Sequence, residues 1–234
     1  MALFACQMAV EPQHTASSQA TKNEKIMTFS PKLQQYADSL TREFDLISEE
    51  RKLVLAQLAD FVRNELSNSS LPVQLTFICT HNSRRSHMGQ IWAAAAAAFY
   101  QIEGIETYSG GTEATAFNPR AVRAMERAGF TIENPGGDNP HYVVHMNEGD
   151  AGLICYSKVY NDTANPQKNF AAIMTCSQAD ADCPFIPGAK FRLSLPYNDP
   201  KEADNTPQET ERYDERCRQI GRELMYAFSL IKKA

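Results

Sequence analysis

Val73-Gln74-Leu75-Thr76-Phe77-Ile78-Cys79-Thr80-His81-Asn82-Ser83-Arg84-Arg85-Ser86 is the stretch that decides the fold. Its apolar first half, Val73 to Ile78, reads as a buried strand, and the alanine-rich run from Ser86 to Glu103, stopped by Gly104, reads as a helix. A cysteine, five intervening residues and an arginine therefore fall on a strand-loop-helix corner. Free N–H groups at a helix start, with the helix dipole, favour a bound dianion and lower a nearby thiol pKa. Cys79 is accordingly expected to be a thiolate near neutral pH. Arg85 supplies a planar fork able to hold two oxygens of phosphate or arsenate. Ser86 can donate a hydrogen bond to the thiolate, and Asn82 tolerates the left-handed backbone of a tight anion-binding loop. The plainer alternative is a buried cysteine at a strand end followed by a solvated basic turn; the flanking strand and helix weigh against it.

Working outward, the chain after this corner alternates strands and helices. Ile105 to Ser109 reads as a strand, Gly110-Gly111-Thr112 as a turn, and Asn118-Pro119 as the start of a helix that ends near Gly129 with Val122 and Met125 inward. Gly152 to Tyr156 and Ala171 to Thr175 are further apolar strands, and Phe191 to Leu195 is a weaker one. Thr206-Pro207-Gln208-Glu209 has the form of a capping box. The last helix behind it carries Tyr213, Cys217, Ile220, Leu224, Phe228 and Ile231 on one face. Strands separated by helices imply a parallel sheet covered on both faces, with sites beyond the carboxyl ends of its strands. Cys79, Cys176 and Asp199 each follow a predicted strand, so one sheet edge could gather them.

Before the corner, two helices are expected between Pro31 and Leu66. The second has Ser48 as N-cap, Glu49 and Glu50 in its first turn, and Val54, Leu55, Leu58, Phe61, Val62 and Leu66 on one face. Ser67 to Ser70 reads as a linker. The resulting division is a tail at 1–28, expected to be disordered, a helical extension at 29–70 and an α/β domain at 71–234. Met27 is a candidate start of translation.

Length and charge narrow the partners. The chain has 234 residues, 43% of them apolar, and a formal net charge of −5, so it offers no general attraction for nucleic acid or an anionic membrane. Its first ten residues are apolar, yet no lysine or arginine precedes Lys22, and no run approaches the roughly 20 apolar residues that span a bilayer. The expectation is a soluble, cytoplasmic protein without a secretory signal. Six sparse cysteines, Cys6, Cys79, Cys155, Cys176, Cys183 and Cys217, suit catalytic or redox use in a reducing compartment better than a disulfide framework.

Cys176 and Cys183 stand seven positions apart among small and polar residues, followed by Pro184, Pro187 and Gly188. On one helix their Cα atoms would lie about 10 Å apart, beyond the roughly 7 Å a disulfide tolerates, so pairing them requires the segment to unwind. Such a segment can deliver a thiol to Cys79 and pass the resulting disulfide outward by exchange. Two unrelated structural cysteines are the alternative. Cys155 and Cys217 read as core residues, Asp180 and Asp182 as solvated. His141 and His145 lack a third ligand at metal-binding spacing, so no metal site is expected. Asp199-Pro200 is either a general acid for a leaving oxygen or a turn-forming pair.

Together, Cys79 to Ser86 with Met88, Asn118-Pro119-Arg120-Ala121-Val122, the Cys176 and Cys183 pair with Pro184, Pro187-Gly188-Ala189, and Asp199-Pro200 resemble the thioredoxin-coupled arsenate reductases of the low-molecular-weight tyrosine phosphatase superfamily. The resemblance runs from about Val73 to Ile231. It implies a four-stranded parallel sheet flanked by helices. It also implies that Cys79 attacks arsenate while Arg85 and the loop of Thr80, His81, Asn82, Ser83, Arg84 and Ser86 hold its oxygens. By the same carry-over Cys176 attacks the Cys79 adduct and releases arsenite, Cys183 attacks the resulting disulfide at the Cys176 sulfur, and reduced thioredoxin clears the last bond. No tightly bound cofactor is implied. Potassium is left open, because Gln90 stands where some reductases carry a glutamate that helps bind it. Lys201 replaces the aromatic residue that phosphatases of the superfamily usually carry after Asp-Pro. The alternative activity is that of a tyrosine phosphatase, with a phosphocysteine at Cys79 and Asp199 protonating the leaving group. A non-enzymatic oxyanion or redox sensor is a third reading.

Overall fold

A computed structural model describes residues 29–232; the expected tail at 1–28, with Cys6 and Met27, lies outside the described residues. Helix α1 (Pro31–Thr41) starts behind Ser30, whose hydroxyl accepts from Leu33 N at 3.3 Å. Helix α2 (Glu49–Asn68) starts behind Ser48 in the same way, with Glu49 and Glu50 complementing the dipole of its first turn. Both lie where the apolar spacing put two helices. Strand β1 (Val73–Cys79) follows, then α3 (Arg85–Phe99), β2 (Ile105–Gly111) and α4 (Pro119–Ala128). The chain continues through β3 (Thr131–Glu133), β4 (Tyr142–His145), β5 (Leu153–Cys155), β6 (Phe170–Met174), α5 (Ser177–Asp182), β7 (Ala189–Ser194) and α6 (Glu209–Lys232).

Four strands form one parallel sheet in the order β2-β1-β6-β7, as the alternating pattern implied. Register aligns Cys79 with Gly111 on one side of β1 and Ile78 with Met174 on the other. From β1 the chain first steps outward to β2 and later returns to the opposite side for β6 and β7. The connections from the carboxyl ends of β1 and β6 therefore diverge at a topological switch point, the place where such sheets bind ligands. Cys79 ends β1, and Cys176 lies just beyond β6.

The pleat divides the interior in two. Leu75, Phe77, Ala171, Ile173 and Leu193 join the main core with the inner faces of α1, α2, α3, α4 and α6. Ile78, Ala172 and Met174, on the other face, belong to a small separate cluster under α5. All six residues assigned to the inner face of α6 are buried.

Three readings need correction. The Gly152 to Tyr156 run is not part of the parallel sheet: β5 pairs antiparallel with β4, and β4 with β3, in a separate three-stranded sheet. These strands have only three or four residues and alternate Tyr142 and Val144 inward, so an apolar run alone did not distinguish them from a central strand. Gly110 and Gly111 are strand residues, not a turn. A β-carbon at Gly110 would lie 2.3 Å from Tyr160 Cα, and one at Gly111 2.6 Å from Thr80 O, so close backbone approach is what demands glycine. The capping box is also shifted: Glu209 accepts from Asn205 N at 2.7 Å and α6 begins at Glu209 itself. Among the described residues no helix is long and apolar enough to cross a membrane.

Gly221 lets α6 lie close to its neighbours. A β-carbon there would sit 2.8 Å from the Trp92 ring and 2.9 Å from Leu40 Cδ1. Alanine in place of glycine ordinarily favours a helix by about 1 kcal/mol, so this site sets propensity against packing. Gly221→Ala is expected to lower the unfolding free energy by about 1–3 kcal/mol in urea titrations, the usual cost of overpacking. A stabilised variant would show that the helices can separate freely.

Candidate active site

The loop from Thr80 to Arg84 turns its carbonyls outward. Cys79 O accepts from Thr112 N, Thr80 O from Glu113 N, His81 O from the hydroxyls of Thr115 and Ser157, and Ser83 O from Asn118 N, at 2.8–3.1 Å. Among the described residues, no amide of Thr80 to Arg84 donates to another protein group. A loop with its acceptors satisfied on the outside leaves its donors for the concave side, the arrangement of an anion nest. Helix α3 adds its first-turn amides, since Arg84 caps it without any side-chain hydrogen bond.

Asn82 adopts φ 44°, the left-handed conformation expected of it. Its carboxamide is buried and fixed on both sides, accepting from Lys158 N at 2.8 Å and donating to Ser86 Oγ at 2.9 Å. Ser86 Oγ lies 3.1 Å from Cys79 Sγ. Because Asn82 already donates to that oxygen, the serine's own proton is free to point at sulfur.

Arg85 reaches over the loop. Nη1 donates to Tyr197 O at 2.8 Å and Nη2 to Asp199 Oδ2 at 2.7 Å, while its buried Nε finds no acceptor among the described protein groups. Buried donors are rarely left unpaired, so this nitrogen is available to a ligand oxygen. Asp199 also accepts from Lys201 N at 3.1 Å, capping the short 3₁₀ turn that Pro200 starts. The turn-forming reading of Asp199 is thus seen directly, and its other carboxylate oxygen faces Arg85.

The other loop residues divide. Ser83 is buried, and His81 is about half exposed with Nε2 3.6 Å from Glu113. The Arg84 side chain, expected to face the oxyanion, is instead committed beneath the loop. Its Nε donates to Tyr213 OH at 2.8 Å, and its Nη2 stands 3.6 Å from Asp204. Tyr213 in turn donates to Asp204 at 2.7 Å, so α6 braces the loop through this network.

Cys79, Cys176 and Cys183 meet in one place. Cys79 and Cys176 belong to the small apolar cluster, and Cys183 packs against it. Cys176 Sγ lies 3.4 Å from Thr80 Oγ1, beside the loop that follows Cys79, and caps α5 by accepting from Ala179 N. Cys183 caps the other end of α5 and is half-buried. All three are free thiols, and the six-residue helix α5 stands between Cys176 and Cys183. Arg192 on β7 clamps that turn, donating to Asp180 Oδ1 at 2.6 Å, to Asp180 O at 2.8 Å and to Cys183 O at 3.0 Å. Asp180, expected to be solvated, is thus an ion-pair partner. No local pattern announced Arg192, whose partners come from a different element.

The remaining candidates lie elsewhere. Burial pushes the thiols of Cys155 and Cys217 up to about 12, as suits inert core cysteines. His141 stacks on Tyr156 while His145 pairs with Asp150 at 2.6 Å, so the two do not converge. Among the described residues no cluster of three or more His, Cys, Asp or Glu side chains could hold a metal ion. Gln90 donates to Thr107 O at 3.1 Å and brings no carboxylate.

No family model matches this chain. It is 30% identical over 149 residues to an arsenate reductase of Bacillus subtilis, spanning 63% of this chain and 89% of that one. It is 30% identical over 133 residues to an arsenate reductase of Halalkalibacterium halodurans, spanning 57% and 78%. A solved thioredoxin-dependent arsenate reductase of Corynebacterium glutamicum superposes on 85% of this chain and 96% of its own, with a TM-score of 0.40 and 17% identity.

His87, in the first turn of α3, is fully buried against Phe117 and hydrogen-bonded to Ser109. Burial, and secondarily the Lys158 charge, push its pKa down to about 3. Below the unfolded value of about 6.5 the unfolded chain takes up a proton that the native state refuses, so stability falls as pH drops from there toward 3. The slope should reach about 1.4 kcal/mol per pH unit, and His87→Gln should flatten it in urea unfolding measured between about pH 6 and pH 4. An unchanged slope would mean that His87 is not the group responsible.

Proposed function

This chain belongs to the arsenate reductase family, and we propose that it reduces arsenate to arsenite with Cys79, Cys176 and Cys183 as a relay and a thioredoxin as the final reductant. The observation that carries the proposal is the shared position of three free thiols around one small cluster at the switch point, with Cys79 at the start of the donor-rich loop. A phosphatase needs only the first of them.

The chemistry follows from the arrangement. Arsenate binds with its oxygens on the loop amides and on Arg85, whose unpaired Nε is one donor for it. The Cys79 thiolate attacks arsenic, and an arsenic-bound oxygen leaves as water after protonation. The Cys176 thiolate then attacks Cys79 Sγ. The electron pair of the sulfur–arsenic bond passes to arsenic, which falls from the pentavalent to the trivalent state and departs as arsenite. Cys183 attacks Cys176 Sγ and returns Cys79 to its thiolate. A dithiol reductant finally takes the Cys176–Cys183 disulfide by exchange.

The last two steps require α5 to unwind. Six helical residues separate the two caps, about 10 Å at 1.5 Å per residue, and a disulfide tolerates roughly 7 Å between Cα atoms. So short a helix costs little to melt. The adjoining segment also suits a protein reductant, since Phe185, two residues beyond Cys183, is 75% exposed. These exchanges need a reducing compartment, and the cytoplasm is the one we assign.

The decisive assay follows arsenate-dependent NADPH oxidation with thioredoxin and thioredoxin reductase, beside hydrolysis of an aryl phosphate. Cys176→Ser and Cys183→Ser should each abolish arsenate turnover, with Cys183→Ser trapping a Cys79–Cys176 disulfide, and both should keep any aryl phosphate cleavage that the wild type has. Arg85→Lys should lower kcat by about 10²-fold, in line with loss of an oxyanion donor. Brisk phosphate release with no arsenate turnover would make the protein a phosphatase. Arg192→Leu, which removes the clamp on α5, should speed formation of the Cys176–Cys183 disulfide in rapid-quench trapping; unaltered kinetics would show that the clamp does not limit unwinding.

A further inference from the structure

Helices α1 and α2 precede the sheet and contribute no group to the steps above, yet one residue of α2 is connected to the oxyanion arginine. Arg51 lies in the first turn of α2, and its Nε donates to Glu223 Oε2 of α6 at 2.8 Å. Glu223 is only 3% exposed, and its other oxygen accepts from Gln219 at 3.1 Å. The pair is therefore fixed inside the protein. The Arg51 guanidinium carbon sits 4.7 Å from the centre of the Tyr197 ring, which is itself buried.

Tyr197 has two ends with different tasks. Its ring lies under the Arg51 guanidinium, which Glu223 holds in place. Its main chain is anchored by N–H donation to Thr175 O at 3.1 Å, and its carbonyl accepts from Arg85 Nη1 at 2.8 Å. That carbonyl is the one neutral acceptor holding the Arg85 fork; the other hydrogen-bond partner is Asp199, whose own carboxylate also caps a turn. Displacing the ring moves the carbonyl, and with it the plane in which the fork presents Nε.

We infer that Arg51 is a positioning residue for oxyanion binding, acting from the N-terminal helix through Tyr197 on Arg85. The inference rests on the reading of Arg85 as the oxyanion-binding arginine. It assigns the helical extension a task in the reaction: α2 braces the site from behind. Lysine at position 51 would keep the charge opposite Glu223 but lose the planar face that stacks on an aromatic ring.

The test measures inorganic phosphate binding by calorimetry, and arsenate kcat/KM, on the full chain. Arg51→Leu is compared with Arg51→Lys, with the Arg51→Leu/Glu223→Leu double variant, which leaves no buried charge alone, and with Phe61→Leu. Phe61 lies on the same helix and stacks on Phe191 of β7 at 4.6 Å, so its variant loosens α2 without touching Tyr197. Phosphate affinity and kcat/KM should fall about tenfold in Arg51→Leu and in the double variant, between the values of an exposed and a desolvated cation–π contact, and less in Arg51→Lys. Phe61→Leu should bind phosphate as the wild type does. Wild-type phosphate affinity in a folded double variant would overturn the inference, and so would an equal loss in Phe61→Leu, which would make the effect general loosening. Failure of the wild type itself to bind phosphate would overturn the anion-site reading of the loop and, with it, the role of Arg51.

Discussion

The structure depends on how one short loop disposes of its backbone dipoles. Between β1 and α3 the chain reverses within Thr80 to Arg84, and every outward carbonyl from Cys79 to Ser83 except that of Asn82 is held by a donor from a different segment. Those donors come from beyond β2, from the start of α4 and from the stretch after β5. The loop is thus the meeting point of the fold rather than a decoration on it. Its amides are left without protein acceptors while the rest of the protein has claimed its oxygens, and free donors beside a helix start suit an anion or water.

That constraint explains why the sheet needs two unequal cores. The face carrying Leu75 and Phe77 joins a large core closed by long helices, which fixes β1 and hence Cys79. The opposite face carries a small cluster closed by a six-residue helix. Burial there is enough to keep Cys176 out of solvent, yet the cover has few bonds of its own. Much of its hold comes from Arg192, on the edge strand. Rigid support under the nucleophile and a releasable cover over its partner are what a thiol relay requires, since the attacking sulfur must be placed and the next one must travel.

How much of this the sequence discloses follows from the range of the interactions. The β1-loop-α3 corner, the strained Asn82 and the buried face of α6 are local patterns, read from neighbours a few positions apart. Helix geometry likewise says that pairing Cys176 with Cys183 would need the segment between them to loop or unwind. What stayed hidden depends on partners far away in the chain. Arg84 looked like an oxyanion ligand because it sits in the loop, but Tyr213 and Asp204 draw its side chain beneath it. Asp180 looked solvated because Arg192 comes from another element. Gly110 and Gly111 signalled a turn by composition, whereas the close passage of Tyr160 and of the loop is what excludes a side chain.

Asp199 shows where the two candidate chemistries part. A phosphatase would use it as a proton donor to a leaving oxygen, which requires a carboxyl free to carry and aim a proton. Here one oxygen accepts from Arg85 and the other from the amide of Lys201, so both are acceptors within the protein. Arsenate reduction asks less of it once the arsenic-bound oxygen has been protonated and has left as water. Its critical leaving event is cleavage of a sulfur–arsenic bond, and the electron pair that departs needs an oxidised centre rather than an acid. A carboxylate that holds Arg85 in plane until an anion arrives then has a use in the reductive pathway even without donating a proton, and the same contact works against general-acid catalysis. The geometry around Asp199 and the gathering of three thiols thus favour the same chemistry from independent groups.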